Sequence, residues 1–260
     1  MSACALPPKP PRLKSSYEKP SVLAEYLAFH YLEPKDILPH GIPTPLGITN
    51  FPSACAKFLL SHVKDKPLRA LDLGCAVGRS AFELARKVPQ VIGIDFSHSF
   101  IQAAQKIQKK GKLPYDLLEE GKKSRRSLAH GPDISIRQRV CFISGDALHL
   151  PKGLGTFDLL LAANLIDRLP HPKRFLSQIL PSLVHSGGKD LLTSPYTWTT
   201  EYTPASRWLG SPSTDSFSAL QKILRPSFRL IDRTNLPFLL RETRRKFQYT
   251  FADATIWQKL

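Results

Sequence analysis

Short apolar runs separated by segments with helical spacing dominate the chain from Leu68 onward. The run LRALDLG is typical of a buried strand, SAFELARKV has the periodicity of a helix, and VIGIDF is typical of a second strand. A strand, a helix and a strand in this order predict a βαβ unit. In such a unit the strands are parallel and their carboxyl ends meet at one edge of the sheet.

The same alternation continues to the carboxyl end of the chain. It predicts a helix in FLSQILPSLV and further strands in RVCFISGDA, FDLLLAANLI, GGKDLLTSPY, FRLIDRTNLPFLL and QYTFADATIWQKL. The last two strands are expected to pair at one edge. Strands alternating with helices predict an α/β fold with a mostly parallel sheet covered on both faces, and ligands at the carboxyl ends of its strands.

Length and composition allow one domain with a substantial core. The chain has 260 residues, of which 42% are hydrophobic, and no run approaches the roughly 18 consecutive apolar residues of a membrane span. Residues 1–16 are rich in proline and lysine, which predicts a flexible tail rather than a signal peptide. The domain is therefore expected over residues 17–260.

The four cysteines are widely scattered: Cys4, Cys55, Cys75 and Cys141. They have neither the paired spacing of a zinc site nor that of a disulfide framework. We therefore expect no metal site, no disulfide framework and a reduced, cytoplasmic location.

Positive charge is concentrated in one segment. The formal net charge is +16, and a basic surface of that size can attract nucleic acid, acidic lipids or anionic metabolites. Many basic residues fall within residues 106–139, where turn residues are frequent and apolar periodicity is weak. The segment predicts a solvated, partly mobile basic insertion, with a nucleic-acid contact as the alternative.

A glycine-rich turn follows the first predicted strand. After Asp72 come Gly74, Ala76 and Gly78 at every second position, with Cys75 inside the turn. Glycines there let backbone N–H groups and the start of the next helix approach a ligand closely. The spacing is not the G-x-G-x-x-G of dinucleotide binding, and a tight turn made only for packing is the structural alternative.

The turn resembles the first motif of class I methyltransferases that use S-adenosylmethionine, although Ala76 replaces the commonest middle glycine. The resemblance implies a Rossmann-like fold with a mostly parallel seven-stranded sheet, helices on both faces and an antiparallel edge strand. It also implies S-adenosylmethionine as the cofactor. The residues of the turn expected at the cofactor are Asp72, Gly74, Cys75, Ala76 and Gly78.

Aspartates after the next two strands fit the same resemblance. Asp95 closes the second strand, where it can accept hydrogen bonds from both ribose hydroxyls, and Phe96 can lie against the adenine. Asp146, followed by Ala147, is placed as in the family to accept from the adenine amino group. A helix cap or a turn explains any one aspartate alone, but not three in this order.

Longer segments resemble a narrower family, the methyltransferase domain of ovothiol synthases: YEKPSVLAEYLAFHY, LDLGCAVGRSAFELA, AANLIDRLP, SPYTWTTEYTPASRWLG and LPFLLRETRRKFQYTFADATIWQ. The resemblance runs from about Tyr17 to the carboxyl end. It implies methylation of an imidazole nitrogen of 5-thiohistidine to give ovothiol A. Because that family usually fuses this domain to an iron-dependent sulfoxide synthase, we expect a separate synthase or lyase to supply the thiol, by transient contact.

The segments after the fourth, fifth and sixth strands are expected on the rim that carries the glycine turn, with residues 17–66 as a helical lid. Asp167 is the first candidate to bind one ring nitrogen of the acceptor and select its reactive tautomer, and Asn164 is expected to orient cofactor and substrate. A surface aspartate paired with its neighbour is the alternative. Aromatic and charged residues complete the expected substrate site: Tyr26, His30, Tyr31, Arg168, Tyr196, Trp198, Glu201 for the ammonium group, and Arg241 or Arg245 for the carboxylate.

Two rival functions stay open from the sequence. The basic charge favours an RNA or protein methyltransferase, although ANLID stands where modifiers of nucleic-acid amino groups often have Asn-Pro-Pro-Tyr. A binding module with the same fold but no turnover is a rival of another class. We expect a small-molecule substrate, and neither nucleic acid nor a membrane as a partner.

Overall fold

The computed structural model describes residues 16–260, so the predicted tail lies outside the described residues except for its last position. Nine strands are found in this part of the chain. They are β1 Arg69–Leu73, β2 Gln90–Asp95, β3 Lys112–Glu120, β4 Lys123–His130, β5 Val140–Ser144, β6 Phe157–Ala163, β7 Val184–Ser194, β8 Phe228–Arg241 and β9 Phe247–Lys259.

Nine α-helices, several of only one turn, occur over the same residues. They are α1 Pro20–Tyr31, α2 Pro34–Ile37, α3 Phe51–Ser61, α4 Arg79–Leu84, α5 His98–Lys110, α6 Ile134–Arg137, α7 Pro172–Arg174, α8 Leu180–Leu183 and α9 Ser216–Leu224. A π-helical turn, Phe175–Ile179, joins α7 to α8, and 3-10 turns lie at Ser16–Glu18, Ile166–Arg168 and Ala205–Arg207. Within residues 16–260, no helix is long and apolar enough to cross a membrane.

Seven strands form one sheet in the order β5-β2-β1-β6-β7-β9-β8. β1 pairs in parallel with β2 on one side and with β6 on the other, so the strand order reverses at β1. β9 is the antiparallel strand, and it pairs with both β7 and the edge strand β8. The expected α/β fold, its mostly parallel seven-stranded sheet and the pairing of the two late strands are confirmed. The strand order, which reverses at β1, is that of a Rossmann-like doubly wound sheet.

Each face of the sheet is covered by its own core cluster. On one face α1, α3, α4 and α5 pack on the strands, with Phe51, Phe82 and Phe100 among the buried side chains. On the other face α9 and the helical segment 172–183 cover the sheet, and Trp257 is fully buried there. Burial on both faces explains why β1 and β6 are nearly continuous apolar runs without strict alternation.

The basic segment 106–139 is not the loop that its composition predicts. It begins in the last turns of α5, and β3 and β4 then form an antiparallel hairpin. Tyr115, Leu117 and Ala129 of this hairpin are buried in the core cluster that contains α1. The charges occupy the outward positions and the tip, and they obscure the two-residue periodicity of the buried side chains.

Cys55 and Cys75 are free thiols buried in the core. Cys4 lies outside the described residues.

Candidate functional site

The glycine turn connects β1 to α4 and opens toward the carboxyl edge of the sheet. Gly74 has a φ of +79°, and its N–H donates to the carbonyl oxygen of Ile94 at 2.8 Å. Gly78 has a φ of +90°, and a Cβ atom there would lie 2.5 Å from the ring of Phe142. Backbone conformation and close packing therefore both require glycine at these positions. A glycine turn made for tight packing and a glycine turn that approaches a ligand are both compatible with this geometry.

Asp72 and Cys75 lie beneath the turn rather than on its open side. The Asp72 carboxyl is fully buried, and its Oδ2 accepts from the hydroxyl of Ser80 at 2.6 Å. Burial raises the pKa of Asp72 to about 7 and that of the Cys75 thiol well above its ordinary value. These contacts support a role for Asp72 in fixing the turn and the start of α4, not a direct contact with a ligand.

Asp95, at the end of β2, is hydrogen-bonded to the glycine turn. Its Oδ2 accepts from the N–H of Ala76 and its Oδ1 from the N–H of Ser97, both at 2.8 Å. Ala76 adopts a left-handed φ of +46°, which points its N–H at this carboxylate. Each carboxylate oxygen can accept two hydrogen bonds, so each keeps one acceptor position. Burial raises the pKa of Asp95 to about 6, and Phe96 beside it is half-buried.

Asp146 follows β5 and organises a turn. Its Oδ1 accepts from the N–H of Leu148 at 2.8 Å, and its Oδ2 lies 2.7 Å from Nδ1 of His149. Ala147 is buried in the core. Three aspartates thus stand at or near the carboxyl ends of β1, β2 and β5, which are adjacent in the sheet. Only Asp95 and Asp146 are partly exposed there.

Asn164 follows β6 and has a left-handed φ of +50°. Its N–H donates to the carbonyl oxygen of Thr193 at 2.9 Å and to the hydroxyl oxygen of the same residue at 3.0 Å. The Thr193 hydroxyl in turn donates to Oδ1 of Asn164 at 2.8 Å. These bonds join the ends of β6 and β7 and leave the amide nitrogen of Asn164 available to a ligand.

Asp167 and Arg168 form an ion pair just beyond Asn164. Asp167 is fully buried, and its Oδ2 accepts from Nη1 of Arg168 at 2.9 Å and from the hydroxyl of Thr197 at 3.1 Å. Nη1 also donates to the carbonyl oxygen of Thr197 at 2.9 Å. The pairing with Arg168 agrees with the alternative in which Asp167 only pairs with its neighbour. Asp167 does not lie at the surface, however, as that alternative assumed. Oδ1 of Asp167 has no hydrogen-bond partner among the residues of the structure that are described.

Tyr31, at the end of α1, contacts the glycine turn. The hydroxyl of Tyr31 donates to the carbonyl oxygen of Val77 at 2.8 Å. His30 is buried, burial lowers its pKa to about 3, and its Nδ1 has no hydrogen-bond partner within the described chain. The ring of Tyr26 lies 4.7 Å from that of Phe100. α1 therefore brings Tyr31 to the glycine turn and Tyr26 to the ring of Phe100 in the first turn of α5.

Tyr196 and Trp198, which follow β7, are directed toward α9 and β9. The Tyr196 hydroxyl donates to Oδ2 of Asp253 at 2.8 Å, and the indole N–H of Trp198 donates to Oγ of Ser216 at 3.1 Å. Thr197, between them, points the opposite way and contacts the Asp167 pair. The polar groups of Tyr196 and Trp198 are therefore already satisfied within the protein.

The three remaining candidates do not gather at this rim. The Arg241 guanidinium is buried and donates to Oε1 of Glu119 at 2.7 Å and to the carbonyl oxygen of Leu118. Arg245 lies exposed in the turn between β8 and β9, and Glu201 is also exposed. These contacts favour a structural role for Arg241, which ties β8 to the hairpin, and we leave all three out of the proposed site.

Three residues that the sequence did not single out complete the cluster. Thr197 bonds to both members of the Asp167 pair, and Tyr202 lies with its ring 5.3 Å from the guanidinium carbon of Arg168. Tyr17 stacks on Tyr202 with ring centroids 5.8 Å apart. Thr197 lies between Tyr196 and Trp198, and adjacent side chains in an extended segment face opposite ways, so only this alternation could have indicated Thr197 from the sequence.

Sequence comparisons place a methyltransferase signature over the centre of the chain. Residues 71–189 match the family model described as "Methyltransferase domain". Norajmaline N-methyltransferase of Rauvolfia serpentina is 30% identical over 116 residues, and ajmaline N-methyltransferase of the same organism is 28% identical over 116 residues. The match covers 44% of this chain and 32% of each relative, so it spans about a third of their length.

Solved structures share the fold over nearly the whole chain. N-methyltransferase NodS from Bradyrhizobium japonicum WM9, in complex with S-adenosyl-L-homocysteine, is 13% identical with a TM-score of 0.53, covering 93% of this chain and 99% of that one. The [4+2]-cyclase SpnF is 15% identical with a TM-score of 0.58, covering 94% of both chains. A cyclase and a methyltransferase share this fold, so the function has to be argued from the site.

Proposed function

We propose that this chain is an S-adenosylmethionine-dependent N-methyltransferase that acts on a small molecule, with an imidazole nitrogen of 5-thiohistidine as acceptor and ovothiol A as product. One observation carries the proposal furthest. Asp167 has a buried carboxylate oxygen without a partner among the described residues, just beyond the carboxyl end of β6. Such an atom is costly unless a ligand satisfies it.

The polar groups around the glycine turn fit S-adenosylmethionine. Asp95 keeps one acceptor position on each oxygen, which matches two ribose hydroxyls, and Asp146 is the acceptor for the adenine amino group. Phe96 provides an apolar surface for the adenine. Asn164 offers its amide nitrogen next to the turn. When bound, S-adenosylmethionine supplies a methyl group on a positively charged sulfur that is already a good leaving group.

The residues of the chain have to orient the acceptor ring and exclude water. Oδ1 of Asp167 accepts the N–H of one ring nitrogen, which keeps the lone pair on the other nitrogen. Arg168 and Thr197 hold Oδ2 and so fix the direction of Oδ1. The bound N–H becomes more acidic as the methylated ring gains positive charge, so the same carboxylate is positioned to take that proton.

α1 supplies a wall of the acceptor pocket and part of the proposed lid over residues 17–66. Its buried His30 is neutral, because burial holds its pKa far below physiological pH, and its free Nδ1 can accept a hydrogen bond. Tyr26 adds an aromatic surface beside it. A planar heterocycle that carries N–H donors matches this wall.

The comparisons support transfer to nitrogen, since both curated relatives are named N-methyltransferases. Support for thiohistidine comes from the segments that resemble the ovothiol synthase domain, two of which supply Tyr26 and Asp167. A cytoplasmic location remains a prediction.

The charge of +16 favours an RNA or protein substrate as the second candidate. Part of the positive charge of the hairpin is neutralised within the protein. Arg125 lies 3.2 Å from Glu119, and Arg126 lies 3.1 Å from Asp116. The hairpin therefore presents less free positive charge than its sequence indicates.

A product assay tests the proposal. The chain is incubated with S-adenosylmethionine and either 5-thiohistidine, total RNA or a protein extract, and products are identified by mass spectrometry. The proposal predicts a mass gain of one methyl group on 5-thiohistidine alone, abolished in Asp167→Ala and retained in Asp65→Ala, an exposed control. Methylation of RNA or protein only would replace it with the second candidate, and no methylation of any substrate would favour a binding module.

A further inference from the structure

Glu18 caps the amino-terminal end of α5. Its Oε1 accepts from the N–H of His98 at 2.9 Å, and its Oε2 accepts from the N–H of Ser99 at 3.3 Å. A carboxylate at this end of a helix satisfies donors that have no partner within the helix and interacts favourably with its dipole. The capping residue comes from 80 positions upstream, so it ties the amino-terminal segment to α5.

The same end of α5 is joined to the proposed ribose site. Ser97, the helix cap, donates its N–H to Oδ1 of Asp95, and its Oγ accepts from the N–H of Phe100. The carbonyl oxygen of Tyr17 lies 3.3 Å from Oγ of Ser99. Burial raises the pKa of Asp95, and the nearby charge of Glu18 raises it further.

The ring of Tyr17 extends the contact to the proposed acceptor site. Its centroid lies 5.8 Å from each of the rings of Tyr26, Phe100 and Tyr202. The ring of Tyr202, on which Tyr17 stacks, lies 5.3 Å from the guanidinium carbon of Arg168. Arg168 is the partner of Asp167, so the stacked rings of Tyr17 and Tyr202 connect the amino-terminal segment with the acceptor carboxylate.

We propose that Tyr17 and Glu18 are positioning residues of the methyl-transfer site: Glu18 orders the start of α5 beside Asp95, and Tyr17 orders Arg168 and thereby Asp167. The inference rests on the proposed function for its substrate, but the contacts themselves do not depend on it. Glu18 acts at the cofactor end, so its loss weakens cofactor binding. Tyr17 acts at the acceptor end through its stacked ring, so loss of that ring raises the KM for the acceptor.

The test compares Glu18→Ala, Glu18→Gln and Tyr17→Leu with the exposed control Glu33→Gln, all in the full chain. Hydrogen exchange of the His98 and Ser99 amides is followed together with S-adenosyl-L-homocysteine affinity by calorimetry. Glu18→Ala is expected to speed exchange of both amides at least about 10-fold and to weaken cofactor binding about 10-fold. Glu18→Gln retains one acceptor oxygen and gives a smaller effect even if the alanine variant folds poorly.

Tyr17→Leu removes the stacked ring and is expected to raise the KM for 5-thiohistidine about 5- to 10-fold, with cofactor affinity within twofold of the wild type and kcat changed less than KM. Unchanged exchange and cofactor affinity in both Glu18 variants, or a Tyr17→Leu variant with wild-type KM, would overturn the inference. If the wild type binds the cofactor but does not methylate thiohistidine, the substrate assignment fails. The amide exchange and cofactor affinity then still decide the role of Glu18, and the inference for Tyr17 fails with the substrate.

Discussion

The hydroxyl of Tyr31 donates a hydrogen bond to the carbonyl oxygen of Val77 at 2.8 Å. Tyr31 ends α1 in the proposed lid, and Val77 lies inside the glycine turn. The conformation of the proposed cofactor turn is therefore coupled to the position of the helix that covers it. Because both residues are buried, water does not compete for this bond.

Tyr31→Phe removes that bond without removing core volume. A net loss of about 0.5–1.5 kcal/mol is expected, which is roughly a 3- to 10-fold loss of cofactor affinity if the turn becomes less ordered. Calorimetry with S-adenosyl-L-homocysteine measures it. Tyr249→Phe is the matched control, since Tyr249 is exposed on β9. If Tyr31→Phe and Tyr249→Phe bind S-adenosyl-L-homocysteine with equal affinity, the position of α1 is not coupled to the cofactor turn.

Asp95→Ala is expected to weaken cofactor binding by about 1.5–3 kcal/mol, because a charged acceptor for the ribose is lost. The variant is also expected to have a lower free energy of unfolding, because the Asp95 carboxylate accepts hydrogen bonds from the N–H groups of Ala76 and Ser97. Calorimetry and denaturant unfolding on the same variant separate the two effects. A folded variant with wild-type affinity would remove Asp95 from the site.

The raised pKa of Asp95 gives cofactor binding a pH dependence. Burial holds the pKa near 6, so the free protein loses the charged acceptor as pH falls below about 6. Affinity is expected to fall about 10-fold for each further pH unit until the cofactor-bound pKa is passed. For folding the sign is opposite: the contribution of this carboxyl is full below its unfolded pKa of 3.8 and is lost as pH rises through about 6. Calorimetric titrations between pH 5 and 8 measure the cofactor affinity, and an affinity that does not change with pH contradicts the expected fall.

Asp190 is a stability cost in the middle of β7. Both of its carboxylate oxygens are buried without a partner in the described structure, and burial raises its pKa well above the ordinary value. Such a carboxyl contributes most to folding below its unfolded pKa of 3.8, and that contribution is lost as pH rises. Asp190→Asn is expected to raise the free energy of unfolding by at least about 1 kcal/mol at pH 8, and by less at pH 5.

Denaturant unfolding at both pH values measures this gain, with Asp65→Asn, at an exposed position, as control. An Asp190→Asn variant that is less stable than the wild type at pH 8 would show that a ligand or partner satisfies the carboxyl.

Asp95 and Arg241 show how far the positions and partners of side chains can be predicted from the sequence. Asp95 was found because a strand end fixes where a side chain lies, and strand ends follow from local periodicity. Arg241 also stands at a strand end, yet its guanidinium is occupied by Glu119, 122 residues away in sequence. Long-range ion pairs leave no local pattern, so the sheet and the glycine turn were predictable and the pairing of Arg241 with Glu119 was not.

The hairpin illustrates the same limit. Its composition predicts a dispensable loop, but Leu117 is 1% exposed and Tyr115 lies in the same core. Leu117→Ala is expected to cost about 2–5 kcal/mol of unfolding free energy, whereas Leu46→Ala, at a side chain 97% exposed, costs little. Denaturant unfolding compares the two variants. Equal unfolding free energies for Leu117→Ala and Leu46→Ala would instead support a solvated insertion that does not contribute to the core.

The most direct test of the central claim is the ratio of kcat/KM values for 5-thiohistidine and histidine with S-adenosylmethionine, in the wild type and in Asp167→Asn. A pocket shaped for the ring sulfur leaves unpaired polar groups or a void when histidine binds, so we expect a preference of at least about 100-fold for the thiol. Asp167→Asn should lower turnover on the thiol more than it lowers cofactor affinity, because Oδ1 acts on the acceptor ring. Equal rates on both substrates, or activity only on RNA or a protein, would contradict the account of the acceptor.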